Sequence, residues 1–426
     1  EKTLPGKGVE YLIYDNQNRL VATQDALLRS QSKWLYNKYD AFGRIILTGI
    51  TTQTGSRTAV QALVTGNNNS VLSTSTTPTT TGGWPSTLGE ILSAYYYDSY
   101  AGLSTLGYEK PENPYLNFHD HDTNIHGLLA GKKVRNDVTN TLLTTMFFYD
   151  SKGREIQSVS QNHLGNSIRF STQYNFENKP VQTLSQYNGN VNRVLRTYVY
   201  NNNGSLSQVK HKINTDAERI IIQNTYSEVG ELIGKSNPAA SLGYQYNIRG
   251  WLTDINSPDS RVFHQKLYYQ EEGGEDRWNG NISAINWKGE DNKWRRYSYF
   301  YDNAHRLNSA NYTVPGTTAE DNRYTVNAIT YDANGNIITL NRRGQRFVND
   351  YDPVDNLTYT YESNSDFSRY SNRLLKVTDG LTATNYNSKD FKPVPGGANY
   401  AYDVNGNQKT NSDKGISNII YNHLNL

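Results

Sequence analysis

The stretch NFHDHDTNIH holds three of the chain's eight histidines, His119, His121 and His126, interleaved with Asp120 and Asp122. On a strand His119 and His121 share a face while Asp120 is displaced from it. With Asp122 and His126 nearby, the residue types suit zinc or another divalent ion. A solvated loop between strands accounts for the same residues and is the favoured reading. Clustered carboxylates in EEGGED, Glu271 to Asp276, lack the alternating spacing of a calcium loop, so a solvated turn is favoured there too. Trp251, Trp287 and Trp294 could stack on sugar rings, but tryptophan equally suits a half-buried sheet face. The 40 acidic residues show no pattern that singles out a pair for glycoside hydrolysis. No phosphate loop, Ser-His-Asp order or HExxH is present, and the absence of cysteine excludes thiolate chemistry. No catalytic, cofactor-binding or firm metal residue is assigned, and the expectation is a protein that is not an enzyme and carries no cofactor.

A more pointed stretch is YQYNIRGWLTDIN, Tyr244 to Asn256, which gathers a base, a cation and a stacking ring around Gly250. Reading for self-similarity shows that it is one copy of a repeated unit. YDAFGRII begins at Tyr39, YDSKGREI at Tyr149, YNFENKPV at Tyr174, YNNNGSL at Tyr200 and YSEVGEL at Tyr226. YNIRGWL follows at Tyr246, YDNAHRL at Tyr301, YDANGNI at Tyr331, YDPVDNL at Tyr351 and YDVNGNQ at Tyr402. YDNQNRL at Tyr14 opens the series and YNHLNL at Tyr421 closes it. From Tyr149 to Tyr226 the tyrosines step by 25, 26 and 26 residues. Gaps of about twice that, 39 to 97 and 246 to 301, each call for a degenerate or inserted unit.

The physical logic of the unit is a β-hairpin. An Asp or Asn after the tyrosine (Asp40, Asp150, Asp302, Asp332, Asp403) bonds backbone two residues on and starts a turn. Glycine four residues after it (Gly43, Gly153, Gly250, Gly335, Gly406) supplies the positive φ of a four- or five-residue loop. Arg44 and Arg154 follow in the same turns. Flanking residues alternate with period two, as in Tyr297, Tyr299 and Tyr301, so tyrosines from neighbouring hairpins would align into ring ladders. In this reading Tyr246 belongs to such a ladder, and Arg249, in the turn, faces solvent. Repetition of antiparallel hairpins gives an all-β fold extending as a coiling strip.

Composition agrees. The chain has 426 residues, only 35% hydrophobic, yet 34 are tyrosine and the net charge is +2. That excludes a thick core and a disordered chain alike, and suits a broad, thin sheet whose tyrosines keep their hydroxyls wet. Near-neutral charge gives no footprint for nucleic acid, and no apolar run approaches the ~20 residues of a membrane span. Nothing at Glu1 reads as a signal peptide. The whole of 1–426 reads as one repeat region. It is interrupted at 51–84, rich in Ser, Thr and Gly, where Ser56 or Thr54 could cap a short helix, and again at 381–398.

The repeats resemble the YD repeats of the RHS proteins, a form shared with teneurins and the cocoon-forming subunits of insecticidal toxin complexes. KWLYNKYDAFGRIILTGI, GREIQSVSQNHLGN, YQYNIRGWLTDIN and NGNISAINWKG resemble the Bacteroidota branch of that family. The resemblance implies a strip that spirals into a hollow shell around a toxin or other polypeptide encoded further along the same chain. It also implies a bacterial protein exported to the medium or cell surface and active in interbacterial competition. Its partners would be that polypeptide cargo or the rest of the chain, with a secretion-system component or cell-surface protein, and no nucleic acid or membrane insertion. The closing core of the family, with its self-cleavage aspartates, and the C-terminal toxin are not visible, so a piece of a longer polypeptide is expected. Asp352-Pro353 falls in a repeat turn and is disfavoured as a cleavage site. The alternative is a cell-surface adhesin that binds glycans or proteins through the outer face of the sheet.

Overall fold

The structure is a computed structural model, which describes residues 1–3, 8–66, 83–103, 106–111, 118, 120–187, 191–258, 263–270, 277–362, 372–381, 390–394 and 396–425. His119 and the whole of EEGGED lie outside the described residues. The chain divides into two units, essentially Gly8–Ile222 and Gln223–Leu426.

In the first unit the strands are β1 (Tyr11–Tyr14), β2 (Leu20–Gln24), β3 (Lys33–Tyr39), β4 (Ile45–Thr52), β5 (Glu90–Asp98) and β6 (Ile125–Arg135). They continue as β7 (Leu142–Tyr149), β8 (Glu155–Gln161), β9 (Ser167–Tyr174), β10 (Pro180–Tyr187), β11 (Asn192–Tyr200) and β12 (Leu206–Ile213). Each pairs antiparallel with its neighbours in sequence. Two short helices interrupt them, α1 (Ala26–Ser30) and α2 (Arg57–Thr65), the latter capped by the Ser56 hydroxyl on the Ala59 N–H. One buried cluster joins Ile13, Val21, Trp34, Tyr36 and Tyr39 to Val60 and Val64 of α2 and to Trp84. A second gathers Leu47, Ala94, Leu103, Ile125, Met146, Phe148 and Val159.

The division falls within β13 (Arg219–Tyr226). The second unit continues with β14 (Leu232–Ser236), β15 (Ser241–Tyr246), β16 (Leu252–Asn256), β17 (His264–Tyr268), β18 (Ala284–Lys288) and β19 (Arg295–Tyr301). Then come β20 (Leu307–Thr313), β21 (Val326–Tyr331), β22 (Ile337–Phe347), β23 (Asp350–Tyr361) and β24 (Leu374–Asp379), again paired in order and antiparallel. Its described core is thin, a cluster of Leu357, Val377 and Tyr400. The low hydrophobic content is thereby explained: long stretches are a half-buried sheet rather than a filled interior.

Every well-formed repeat turn has the same construction. The Asp40 N–H donates to the Arg44 carbonyl at 2.9 Å and the Gly43 N–H to the Asp40 carbonyl at 3.1 Å. The loop proper is therefore three residues, shorter than the motif suggested, closed by the Asp–Arg pair. Gly43, Gly153, Gly250, Gly335 and Gly406 all take positive φ, as do Asn18, Asn178 and His305 at the same place in their turns. The tyrosine then pairs with the residue six after it, Tyr39 with Ile45 and Tyr149 with Glu155, and a register shift directly precedes it. That shift is a bulge, which leaves Ile46 and Ile156 as extra residues, both buried.

One repeat assignment changes. YDPVDNL at Tyr351 is not a turn: Asp352 and Pro353 lie inside β23, opposite Gly344 and Arg343. It has no Gly or Asn four residues after the tyrosine, and Asp355, which stands there, is buried and paired with Arg342. The 246–301 gap holds an extra hairpin around Tyr269, whereas 39–97 contains α2.

Gly153 has φ +72 with only Leu128 Cδ1 near an added Cβ, and Gly335 has φ +89 with nothing near it. Any cost of substitution is therefore backbone strain. Gly153→Val and Gly335→Val should each lower the unfolding free energy by about 1–3 kcal/mol, and Gly335→Asn by much less. Urea denaturation checks this, and a neutral Gly335→Val contradicts the turn geometry.

Candidate functional site

The residues of the motif that looked chemical are engaged with one another. In the Tyr149 repeat the Asp150 carboxylate accepts from the backbone N–H groups of Lys152 (2.9 Å) and Arg154 (3.0 Å). Its other oxygen takes the Arg154 Nε–H at 2.7 Å. Burial alone would raise the Asp150 pKa, but the hydrogen bonds from Arg154 and Lys152 outweigh it and hold the carboxyl below its usual range. Asp15 with Arg19, Asp40 with Arg44 and Asp302 with Arg306 repeat the arrangement at 2.6–2.7 Å.

Each cation also reaches forward to the next repeat. The Arg154 guanidinium lies 5.0 Å from the centre of the Tyr174 ring, Arg19 4.9 Å from Tyr39, Arg44 4.4 Å from Tyr97 and Arg306 4.5 Å from Tyr331. Arg154 Nη1 donates to the Asn175 carbonyl at 3.1 Å and Arg306 Nη1 to the Asp332 carbonyl at 3.2 Å, both in the following turn. Where asparagine replaces arginine the amide does the same work. Asn336 Nδ2 bonds Asp332 at 2.8 Å and Asn372 at 3.0 Å, and Asn407 Nδ2 bonds Asp403 at 2.9 Å and Asn425 at 2.8 Å. The repeat tyrosines are thus covered mainly by cations, not by the ring ladders that the alternation suggested. Ring contacts do run through Trp287, Tyr297, Tyr312, Tyr324 and Tyr351.

The tyrosine hydroxyl completes the circuit backwards. Tyr39 donates to the Leu20 carbonyl (2.8 Å), Tyr174 to Glu155 (3.1 Å), Tyr200 to Pro180 (2.8 Å) and Tyr246 to Leu232 (3.0 Å). Tyr331 donates to Leu307 (2.6 Å) and Tyr421 to Gln408 (2.8 Å). In each case the acceptor is the sixth residue after the preceding repeat tyrosine, beside the bulge. Tyr149, Tyr301 and Tyr402 make the corresponding bond to Leu129, Ile282 and Leu374 at 2.7–2.9 Å.

This rule exposes two members that motif reading missed. Tyr269 donates to Leu252 at 2.9 Å and Tyr361 to Ile337 at 3.0 Å. Both had been split from their return halves, NGNI at 279–282 and NRL at 372–374, which were the available signal. Arg277 covers Tyr301 and Arg373 covers Tyr402 accordingly. At Tyr246 the pattern is rearranged. Arg249 is exposed, yet its guanidinium covers Trp251 at 5.0 Å and Trp278 at 5.6 Å and donates to the Trp278 carbonyl at 2.9 Å. It braces the next turn instead of standing free in solvent.

Of the weak metal candidates, His119 lies outside the described residues, and His121, Asp122 and His126 lie within them. The His121 ring sits among Tyr100, Tyr108 and Phe148, with centroids 4.5–5.8 Å away. Asp122 accepts from the Asn124 N–H at 2.8 Å and closes its own turn, and His126 is exposed. His121 and Asp122 do line a cleft of about 480 Å³ with Asp120, Asp150 and Arg154, but Asp150 and Arg154 are committed to each other. Among the described residues no group of three or more His, Asp or Glu is placed to hold a metal ion. Trp251 packs on Tyr269, Trp287 on Tyr297, and Trp294 lies beneath Lys266 and Lys288. No described helix is long and apolar enough to cross a membrane.

No protein-family model matches the chain, and no curated protein matches it. Among solved structures it is similar to a chain of the TcdB2-TccC3-Cdc42 crystal structure, with 14% identity and a TM-score of 0.50. That match covers 99% of this chain but 18% of the other. It is also similar to a chain of the Tc holotoxin pore of Photorhabdus luminescens, with 12% identity, a TM-score of 0.42, and 89% and 19% of the two chains covered. The first likeness shows the fold, a strip of repeated antiparallel hairpins, and this chain spans under a fifth of that chain's length.

Burial pushes the Tyr149 hydroxyl up to about 12 from its ordinary 10, and raises Tyr39, Tyr174, Tyr246 and Tyr331 as well. A pKa raised by folding contributes stability in full below pH 10, and that contribution is lost as pH climbs through about 12. Through these tyrosines urea midpoints should fall as pH rises from 10 towards 12. Tyr149→Phe should lower the neutral-pH unfolding free energy by about 1–3 kcal/mol, by orphaning the Leu129 carbonyl, and show a smaller alkaline loss. An unchanged alkaline profile in Tyr149→Phe argues against the hydroxyl bond.

Proposed function

We propose that this chain is a structural, non-catalytic segment of an RHS shell of the Bacteroidota type, which encloses or presents another polypeptide during export or at the cell surface. The observation that carries this reading is the engagement of the motif's own chemistry. Where a repeat carries the Asp–Arg pair, its aspartate and arginine are held by the same or the adjacent repeat, and most repeat tyrosines bond the preceding one, so the residues that resembled a site serve to extend a sheet. The fold likeness to a TcdB2–TccC3 chain supports the same reading. The cargo is a toxin or other secreted polypeptide carried in the same protein, and the protein acts in competition between bacteria.

A second reading, adhesion through the outer surface, draws on large apolar side chains exposed at turn tips: Phe42 (83%), Phe176 (85%) and Trp278 (63%). Limited proteolysis of the native polypeptide that carries this sequence separates the two. Enclosure predicts a segment that resists protease while the repeats are folded and is digested once urea unfolds them. Adhesion predicts no sheltered segment, and loss of surface binding in Phe42→Ser/Phe176→Ser. A turnover that disappears in Arg249→Ala while the fold persists would overturn the structural reading altogether.

A further inference from the structure

A strip of hairpins has a first edge, and an edge strand is open to pairing with any other strand. Among the described strands of the first unit, β1 pairs with β2 alone. On its other side the backbone is occupied at both ends. The Lys2 N–H donates to the Glu10 carbonyl, and the Glu10 N–H to the Lys2 carbonyl, both at 2.9 Å. Four residues on, the Gln61 side chain of α2 donates from Nε2 to the Tyr14 carbonyl at 2.7 Å, and its Oε1 accepts the Tyr14 N–H at 3.4 Å. One side-chain amide thus satisfies the donor and the acceptor of one residue, as a residue of a neighbouring strand would. By strand alternation the N–H and C=O of Leu12 point to the same outer side, between the two closures.

The helix that delivers Gln61 is firmly seated. Val60 and Val64 are fully buried in the cluster with Ile13, Val21 and Trp34, and Asn16 Nδ2 donates to the Thr65 carbonyl at 3.2 Å. Val60 and Val64 would hold α2 against the sheet whatever stood at position 61. The doubly bonded glutamine therefore has a separate consequence.

We infer that α2 is an edge guard: Gln61, with the Lys2 backbone, closes β1 against addition of a further β edge, in solution that of a second copy of this chain. This inference is independent of the shell reading. A native-like guard keeps neighbouring copies from joining edge to edge, the usual hazard of a long sheet.

The test is the mass in solution as a function of concentration, by light scattering, for the wild type, Gln61→Leu and Lys2→Pro/Gln61→Leu. Circular dichroism and melting temperature establish that each is folded. Gln61→Glu, which can accept from the Tyr14 N–H but cannot donate to its carbonyl, replaces Gln61→Leu where leucine disrupts the helix. The wild type should keep the mass of one chain. The single variant should associate as concentration rises, with the double variant at least tenfold tighter. Adding Leu12→Pro, which removes an outward N–H at a position where an edge strand tolerates proline, should restore the single-chain mass. Folded variants that stay at the mass of one chain overturn the inference. So does a wild type that associates equally, or association that survives Leu12→Pro.

Discussion

The fold depends on one hydrogen bond made again and again: a tyrosine hydroxyl donating to a main-chain carbonyl of the preceding hairpin. The bulge before each repeat tyrosine interrupts the ladder. A half-buried carbonyl beside such an interruption needs a donor, because an unpaired one costs about 1–3 kcal/mol. The next tyrosine supplies it, and its ring must then be covered. The cation of the preceding turn covers it, and that cation is in turn oriented by its own aspartate. Asp150, Arg154, Tyr174 and Glu155 form one such closed circuit. A phenol is the side chain for this position, since a flat apolar ring can lie against a cation while its tip still reaches a carbonyl.

A sheet tied in this way does not need a deep interior. In the second unit the described apolar core is small, yet the hairpins follow one another from β14 to β24. Each repeat is stabilised chiefly by contacts with its two neighbours, as in other linear repeat proteins. The first unit differs because α2 and Trp84 add a conventional buried cluster over β1 to β3. Arg44 shows that the tie also survives a long excursion of the chain: its guanidinium grips Asp98 with bonds of 3.0 and 2.5 Å, although the intervening segment includes α2.

Much of this was legible in the residues. Period-two alternation and the Tyr-Asp-x-x-Gly signature identify antiparallel hairpins, because turn chemistry is local and the positive φ four residues after the tyrosine favours glycine or asparagine. What was not legible lies between repeats. The acceptor of each tyrosine is a carbonyl, which every residue carries, so the side chains of Leu20, Glu155 and Pro180 do not reveal the bond. Tyr351 shows the converse failure. Its sequence imitates the motif through Tyr351 and Asp352, but Asp355 stands at the turn position and its carboxylate faces Arg342 across the ladder. The histidines and aspartates near position 120 were read chiefly as a solvated loop, because proximity in sequence was all that could be seen. His121 is instead a ring among rings.

The main-chain identity of that acceptor has an evolutionary consequence. No substitution can delete a carbonyl, so the tie survives whatever side chain drifts in at the acceptor position, and leucine, glutamate and proline all serve. Selection need preserve only the phenol, its turn and a flat or cationic cover, and the rest of each repeat is free to wander. Such a protein can lose nearly all detectable kinship in its letters while its architecture persists. Descent would then be written in the interval between tyrosines more durably than in the residues that fill it.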